Sequence, residues 1–475
     1  MRADINGGSG AAVRLAAGAP LRDVLDVADA DDWLALDSGV RTVAWWRAEL
    51  QYTAPLPGDP TGLDEARFAL TLCHRDGRVR EAAVRGSGRY PALLPLIVIR
   101  CADWVEPVRE RARELLSETL DGDTAVALAP LILRVGRRNR GDFGVQLLEE
   151  VMRRAPRGHF AGLFADADRT VRRFAYRLAV ERQLLGPVEL ARAAGRDPDT
   201  VVQDLCATAA LKSLALHDRD ANDNVHDDVL TLLLTARNPG TRSTGVTALR
   251  RAGRPRQAEP FLSDRSALVR ACARYVVRQH GIDATAWYRK RCAVPDDPEL
   301  PPGAVIGLAE CGDRADAGLL WSFLAHPAAG VRAQAVAGLR ALDRADAERL
   351  RPLLDDPAPG VVRETAIALL PSAKDLPADR LLQRTAPEQP RHVRVAAFRL
   401  LDAHGGIVAL RAAVGLLEDP DVKLRTWAGQ AVQRWRPSAD VRPGDTEVGE
   451  LLDRSRHLFS DYVLRRRKWE AGLAG

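Results

Sequence analysis

Apolar positions along this chain fall at helical spacing, and they do so in blocks that return at a fixed interval. In Gly330-Val331-Arg332, Val361-Val362-Arg363, His392-Val393-Arg394 and Lys423-Leu424-Arg425 the arginines stand 31 residues apart. The same signature recurs upstream at Val79-Arg80, Val108-Arg109, Val171-Arg172, Val202-Gln203, Thr241-Arg242 and Val269-Arg270. Gaps of 63 (Arg109 to Arg172) and 62 (Arg270 to Arg332) each leave room for one degenerate copy, placed near Gly141–Ala155 and Pro301–Cys311. The chain is thus read as an array of about twelve units with a period of 31.

Around the arginine, or the residue that replaces it, the pattern is that of a packed helix. One position before it stands Val in eight of ten copies. Three positions after it every residue is small: Ala83, Ala112, Ala175, Cys206, Gly245, Ala273, Ala335, Ala366, Ala397 and Ala428. Seven positions after it stand larger apolar groups such as Leu116, Leu249, Leu339, Leu401 and Val432. Offsets of −1, +3 and +7 share one face at 3.6 residues per turn. A small residue in the middle of that face lets a neighbouring helix come close. Turns precede the helix at Asp197-Pro198, His326-Pro327, Asp356-Pro357 and Asp419-Pro420, where proline breaks helical continuity. A second apolar helix is predicted before the turn, at 317–324, 347–354 and 407–417. No stretch shows sustained period-two alternation, so strands are not expected.

This helix–turn–helix unit resembles the HEAT repeat, specifically the short bacterial variety also present in phycobilisome-lyase-like proteins. The resemblance covers residues 62–436 and implies an all-α fold, an α-solenoid of about twelve hairpins. As a class it implies scaffolds and adaptors, not a reaction. It also implies a polar ladder in which turn acids and the second-helix arginines tie units together. An acid stands six positions before the reference residue in Asp103, Asp166, Asp197, Asp264, Glu388 and Asp419, so Arg109, Arg172, Arg270, Arg394 and Arg425 are read as structural.

Outside the array, residues 1–18 are rich in Gly and Ala and are expected to be disordered. Residues 19–61 are expected to form a helical cap carrying Trp33, Trp45 and Trp46. Residues 437–475 read as a Pro/Asp linker and one amphipathic helix ending in the basic run Arg465–Lys468. Within the array, the interval from Gln203 to Arg242 is 39, and the excess falls in Asp218–Asp228. That segment partly matches a calcium loop, but Asp223 stands where the turn needs Gly and Val229 where a bidentate Glu is needed. A solvated loop is the simpler reading.

Composition adds little chemistry. Lys+Arg 69 against Asp+Glu 64 leaves a net charge of +5, too small to require nucleic acid. No apolar run approaches the roughly 20 residues of a membrane helix, and no secretory signal is evident. The six cysteines lie far apart with no Cys-x-x-Cys pair and are expected to be reduced thiols of a cytoplasmic protein. Phosphate loops, His-Glu-x-x-His and Gly-x-Ser-x-Gly are missing, so no catalytic site, cofactor or metal is expected.

The functional expectation rests on geometry. In HEAT arrays the second helices line a concave wall, and offsets +1, +4, +5 and +8 lie away from the packed face. Between Arg172 and Arg340 those offsets carry Arg173, Arg177, Arg250, Arg274, Arg278 and Arg340 with Asp204 as the one acid, and Tyr176 and Tyr275 beside them. These eight residues are the expected binding set of a non-enzymatic scaffold that holds a protein or acidic peptide in a basic groove. The alternative is nucleic-acid binding, as in HEAT-like DNA repair glycosylases, although their groove Trp and Asp positions have no residue-by-residue match here. A lyase-type or chaperone-like role rests on family analogy alone.

Overall fold

The structure is a computed structural model that describes residues 5–43, 63–216, 223–438 and 441–473. Every element among these residues is helical, α or 3-10. Each of the twelve expected units is a helical hairpin. The signature helices are Gly77–Gly86, Glu106–Thr119, Asp142–Arg154, Arg169–Glu181, Thr200–Leu216, Pro239–Arg251, Ala267–Gln279, Pro302–Cys311, Ala329–Ala341, Pro359–Leu369, Arg391–His404 and Val422–Arg434. Both degenerate copies are therefore helices at their predicted places.

The chain divides into two compact units, Met1–Thr241 and Arg242–Gly475. In the first, Gly77–Gly86 packs on Glu106–Thr119, and Arg169–Glu181 packs on Thr200–Leu216. In the second, Pro302–Cys311, Ala329–Ala341, Pro359–Leu369 and Arg391–His404 pack each on the next. The predicted face is the buried one: Val108, Val171, Val269 and Val331 at −1, Ala112, Ala175, Ala273 and Ala335 at +3, and Leu116, Leu249, Leu339 and Leu401 at +7 are all inaccessible to solvent.

Polar rungs cross-link the hairpins. The signature arginine donates to the turn acid of the following hairpin: Arg80 to Asp103 (2.9 and 2.7 Å), Arg172 to Asp197 (3.0 Å), Arg242 to Asp264 and Arg332 to Asp356 (2.9 Å twice in each pair), and Arg394 to Asp419. The same arginine turns Nη1 back onto its own turn, where Arg80, Arg172 and Arg332 reach the carbonyl six residues earlier at 2.7, 2.7 and 2.8 Å. Each acid also accepts the N–H two residues on, as Asp103 does from Val105 at 2.9 Å and Asp356 from Ala358 at 2.8 Å. One carboxylate therefore fixes its own turn, by an Asx-type bond, and the preceding hairpin. Arg109 has no such partner, because the next turn (137–141) carries no acid. It bonds Glu110 and the Asp103 carbonyl instead.

The copy at Pro302–Cys311 lacks the Val-Arg signature and is held differently. The ring of Tyr288, fully buried, lies against Gly307, where a Cβ would stand 2.3 Å from Cε1 of the ring. Its hydroxyl donates to the Leu262 carbonyl at 2.6 Å. Glu310 on this helix accepts from both Arg270 and Arg274, taking the place of a turn acid.

Two expectations at the ends need correction. Residues 5–16 are not disordered: Ile5–Ala16 is a helix with Ala12 and Leu15 fully buried, packed on Ala30–Val43. Its glycines are the reason, since a Cβ on Gly8 would lie 2.0 Å from the Ala35 carbonyl oxygen. The composition that resembled disorder is what permits close helix contact. The cap contains buried Trp33 as expected, while Trp45 and Trp46 lie outside the described residues. The C-terminal segment is a hairpin, Thr446–Arg454 and Asp461–Glu470, not a single helix. Residues 217–222 of the acidic loop also lie outside the described residues.

Candidate functional site

The eight residues expected to form the basic face divide between the two units. Arg173, Tyr176 and Arg177 lie on Arg169–Glu181 in the first. Arg250, Arg274, Tyr275, Arg278 and Arg340 belong to the second.

Most of the positive charge is spoken for internally. Arg173 forms a bidentate pair with Asp199, Nε and Nη2 each 2.8 Å from a carboxylate oxygen. Those bonds hold the Asp199 carboxyl down at about 2. Arg177 reaches Glu149 and Glu181 and lies over the Phe174 ring. Arg274 is bound to Glu310 at 2.6 Å, and Arg340 lies 3.9 Å from Glu364. Tyr176 stacks on Phe164 with ring centroids 4.5 Å apart, and its burial pushes the hydroxyl up to about 12. It is a packing residue. The physical reason is periodicity itself: a one-signed row on one helix faces the acids of adjacent hairpins, which are invisible when each helix is read alone.

What remains accessible is a smaller, mixed cluster. Arg250 and Arg278 are exposed, and the Arg250 guanidinium lies 5.7 Å from the centroid of Tyr275. Tyr275 is 38% exposed. The other large apolar residues left in solvent on signature helices are Val201, Leu268, Val422 and Trp427. Relative to the reference position, Val201 and Leu268 stand at −2, Trp427 at +2 and Tyr275 at +5. At 100° per residue these offsets fall within about 60° of one another, outside the packed face on its −1 side, while Val422 at −3 lies elsewhere on its helix. On Thr200–Leu216 this side opens into a cavity of about 510 Å³ lined by Val180, Val201, Asp204, Leu205, Thr208 and Lys212.

Nothing in the described residues gathers three or more His, Cys, Asp or Glu for a metal. All six cysteines are free. Burial pushes the thiols of Cys73, Cys101, Cys206 and Cys292 up to about 12, which makes them poor nucleophiles. Among the described residues no helix is long and apolar enough to cross a membrane. Comparison with protein-family models gives no match, and comparison with curated proteins gives none.

Proposed function

We propose that each compact unit is a HEAT-like stack of hairpins and that the protein is a non-enzymatic scaffold binding a protein or peptide partner. The observation that carries this reading is the presence of exposed apolar side chains on three signature helices: Val201 on Thr200–Leu216 in the first unit, and Leu268 and Tyr275 on Ala267–Gln279 and Trp427 on Val422–Arg434 in the second. Exposed aromatics with flanking arginines are the composition of protein-binding anchors. The internal ion pairs of Arg173, Arg177 and Arg274 favour this over nucleic acid, since a phosphate track needs cations free to release counterions. The binding face is accordingly narrower than the eight-residue basic set, with Arg250, Tyr275 and Arg278 at its centre in the second unit.

A photo-crosslinking residue placed at Tyr275, at Val201 and, as control, at exposed Arg256 tests the reading. Discrete protein adducts at 275 and 201 but not at 256 are expected. Adducts to nucleic acid alone, or equal labelling at all three positions, would overturn it.

A further inference from the structure

The first unit contains a corner whose charges do not balance. Asp37 and Asp103, both buried, are surrounded by guanidinium groups. Arg80 holds Asp103 at 2.7 Å, and Arg100 bridges the two acids, 3.0 Å from Asp103 and bonded to Asp37. Arg41 lies 3.2 Å from Asp37 and 3.8 Å from Asp103, and Arg138 lies 3.8 Å from Asp37. Arg140 adds a fifth cation at the rim, donating to the Trp104 carbonyl at 3.3 Å. Five guanidiniums meet two carboxylates, an excess of three positive charges among the described residues.

These groups enclose a cavity of about 270 Å³ lined by Arg41, Arg100, Asp103, Trp104, Arg138 and Arg140 among others. Two donors there are unsatisfied. Among the described residues, Nε of Arg100, on a side chain 1% exposed, and Nε of Arg41 are buried with no hydrogen-bond partner. A buried N–H left unpaired is costly, and an unpaired donor on a cation more so. Burial, and then repulsion from Arg100, pulls the Arg41 guanidinium below its ordinary value. The backbone is strained at the same place: Arg140 has φ 68, a left-handed conformation that side chains rarely adopt. Arg113 fixes it by donating to the Arg140 carbonyl at 3.2 Å. Trp104 stands at the mouth, 64% exposed, with the Arg80 guanidinium 5.6 Å from its ring centroid.

We propose that this corner is a binding site for a phosphate monoester, with Arg138 and Arg140 closing on the anion from the rim, Arg41 and Arg100 beneath it, and Trp104 stacking on the group that bears the phosphate. The charge decides the class. A monoester carries close to two negative charges at neutral pH, which matches an excess of three better than the single charge of a carboxylate. Guanidinium forks suit its oxygens geometrically. The volume takes a phosphate and a small substituent, less than the usual 300–1,000 Å³ of a site for a whole drug-sized ligand. The monoester belongs either to a free small molecule or to a phosphorylated side chain of a partner. The site stands independently of the apolar face described above.

Calorimetric titration of the full chain at low ionic strength with phenyl phosphate, inorganic phosphate and benzoate tests the assignment. Phenyl phosphate should bind, and the double variant Arg138→Gln/Arg140→Gln should weaken it by about tenfold or more, each lost charge-assisted contact contributing. Both side chains are exposed, so folding is expected to survive, and the melting curve checks this. Trp104→Ala should weaken phenyl phosphate and leave inorganic phosphate unchanged. No binding at millimolar phenyl phosphate, unchanged affinity in the double variant, or benzoate binding equally well would each overturn the proposal. A short blocked peptide containing phosphotyrosine then fixes the source. Much tighter binding than phenyl phosphate points to a partner's side chain, and parity points to a free metabolite, with the site supported in both cases.

Discussion

Asp103 in the first unit and Asp356 in the second hold equivalent places in the repeat and meet different company. Asp356 receives one arginine, Arg332, through a symmetric two-bond fork, and its charge is matched. Asp103 receives Arg80 through the same fork and Arg100 as well, with Arg41 within 3.8 Å. In both cases burial by itself would raise the carboxyl, and the arginine bonds outweigh it, holding the group below the usual carboxylate range. A neutral rung is a structural device complete in itself. Among the described residues the crowded one gathers more guanidiniums than its carboxylates balance, and the proposed phosphate site rests on that imbalance.

Breaking the two rungs should separate them by size. Asp103→Ala takes the shared carboxylate from two fully buried guanidiniums, leaving Arg80 the carbonyls of His74 and Arg75 and Arg100 only Asp37, and is expected to cost about 3–5 kcal/mol, read as a shift of the first unit's unfolding in denaturant. Asp356→Ala strands only Arg332, which keeps the carbonyls of His326 and Pro327 and is partly solvated, so about 1–3 kcal/mol is expected. Equal losses would erase the distinction.

The Arg173–Asp199 pair supplies a pH test. An unfolded aspartate titrates near 3.9, roughly, and Asp199 is held at about 2. Its contribution is therefore whole above about pH 4 and disappears as pH falls towards about 2. Arg173→Gln should move the acid transition of the first unit to higher pH, and identical acid titrations of parent and variant would show the pair to be idle. The smallest effect belongs to Arg140→Gln, a rim cation bonded only to a carbonyl among the described residues. Its stability change should stay within about 0.5 kcal/mol, or be slightly favourable, because it removes surplus charge. A clear destabilisation would mean that the surplus is neutralised in place.

The helices were legible because their evidence is local and repeated. The −1, +3, +7 face placed ten signature helices, and the gaps of 63 and 62 residues placed the two degenerate copies. The rungs were half legible: the acids could be counted, but that Arg109 would lack one while Arg270 borrowed Glu310 depends on which helix stands alongside. The proposed binding face was least legible. Arg173, Arg177 and Arg274 looked like one row because each helix was read alone, and their acids arrive from hairpins up to 36 residues away. The corner at Asp37 was missed for the same reason. Arg138 and Arg140 are plain in the sequence, yet nothing there brings them to Arg41 and Arg100 from far along the chain.

The glycine contact at Tyr288 limits how this chain can have grown. Repeat proteins lengthen readily when one hairpin is copied or exchanged for another, since each touches only its neighbours. Between Arg332 and Asp356 such a splice would find matching ends. Across residues 284–311 it would not: an imported helix would set a side chain against the Tyr288 ring and leave Arg270 and Arg274 facing each other without Glu310. Among the described residues that stretch is joined by contacts particular to it, Tyr288 on Gly307 and Glu310 on Arg270 and Arg274.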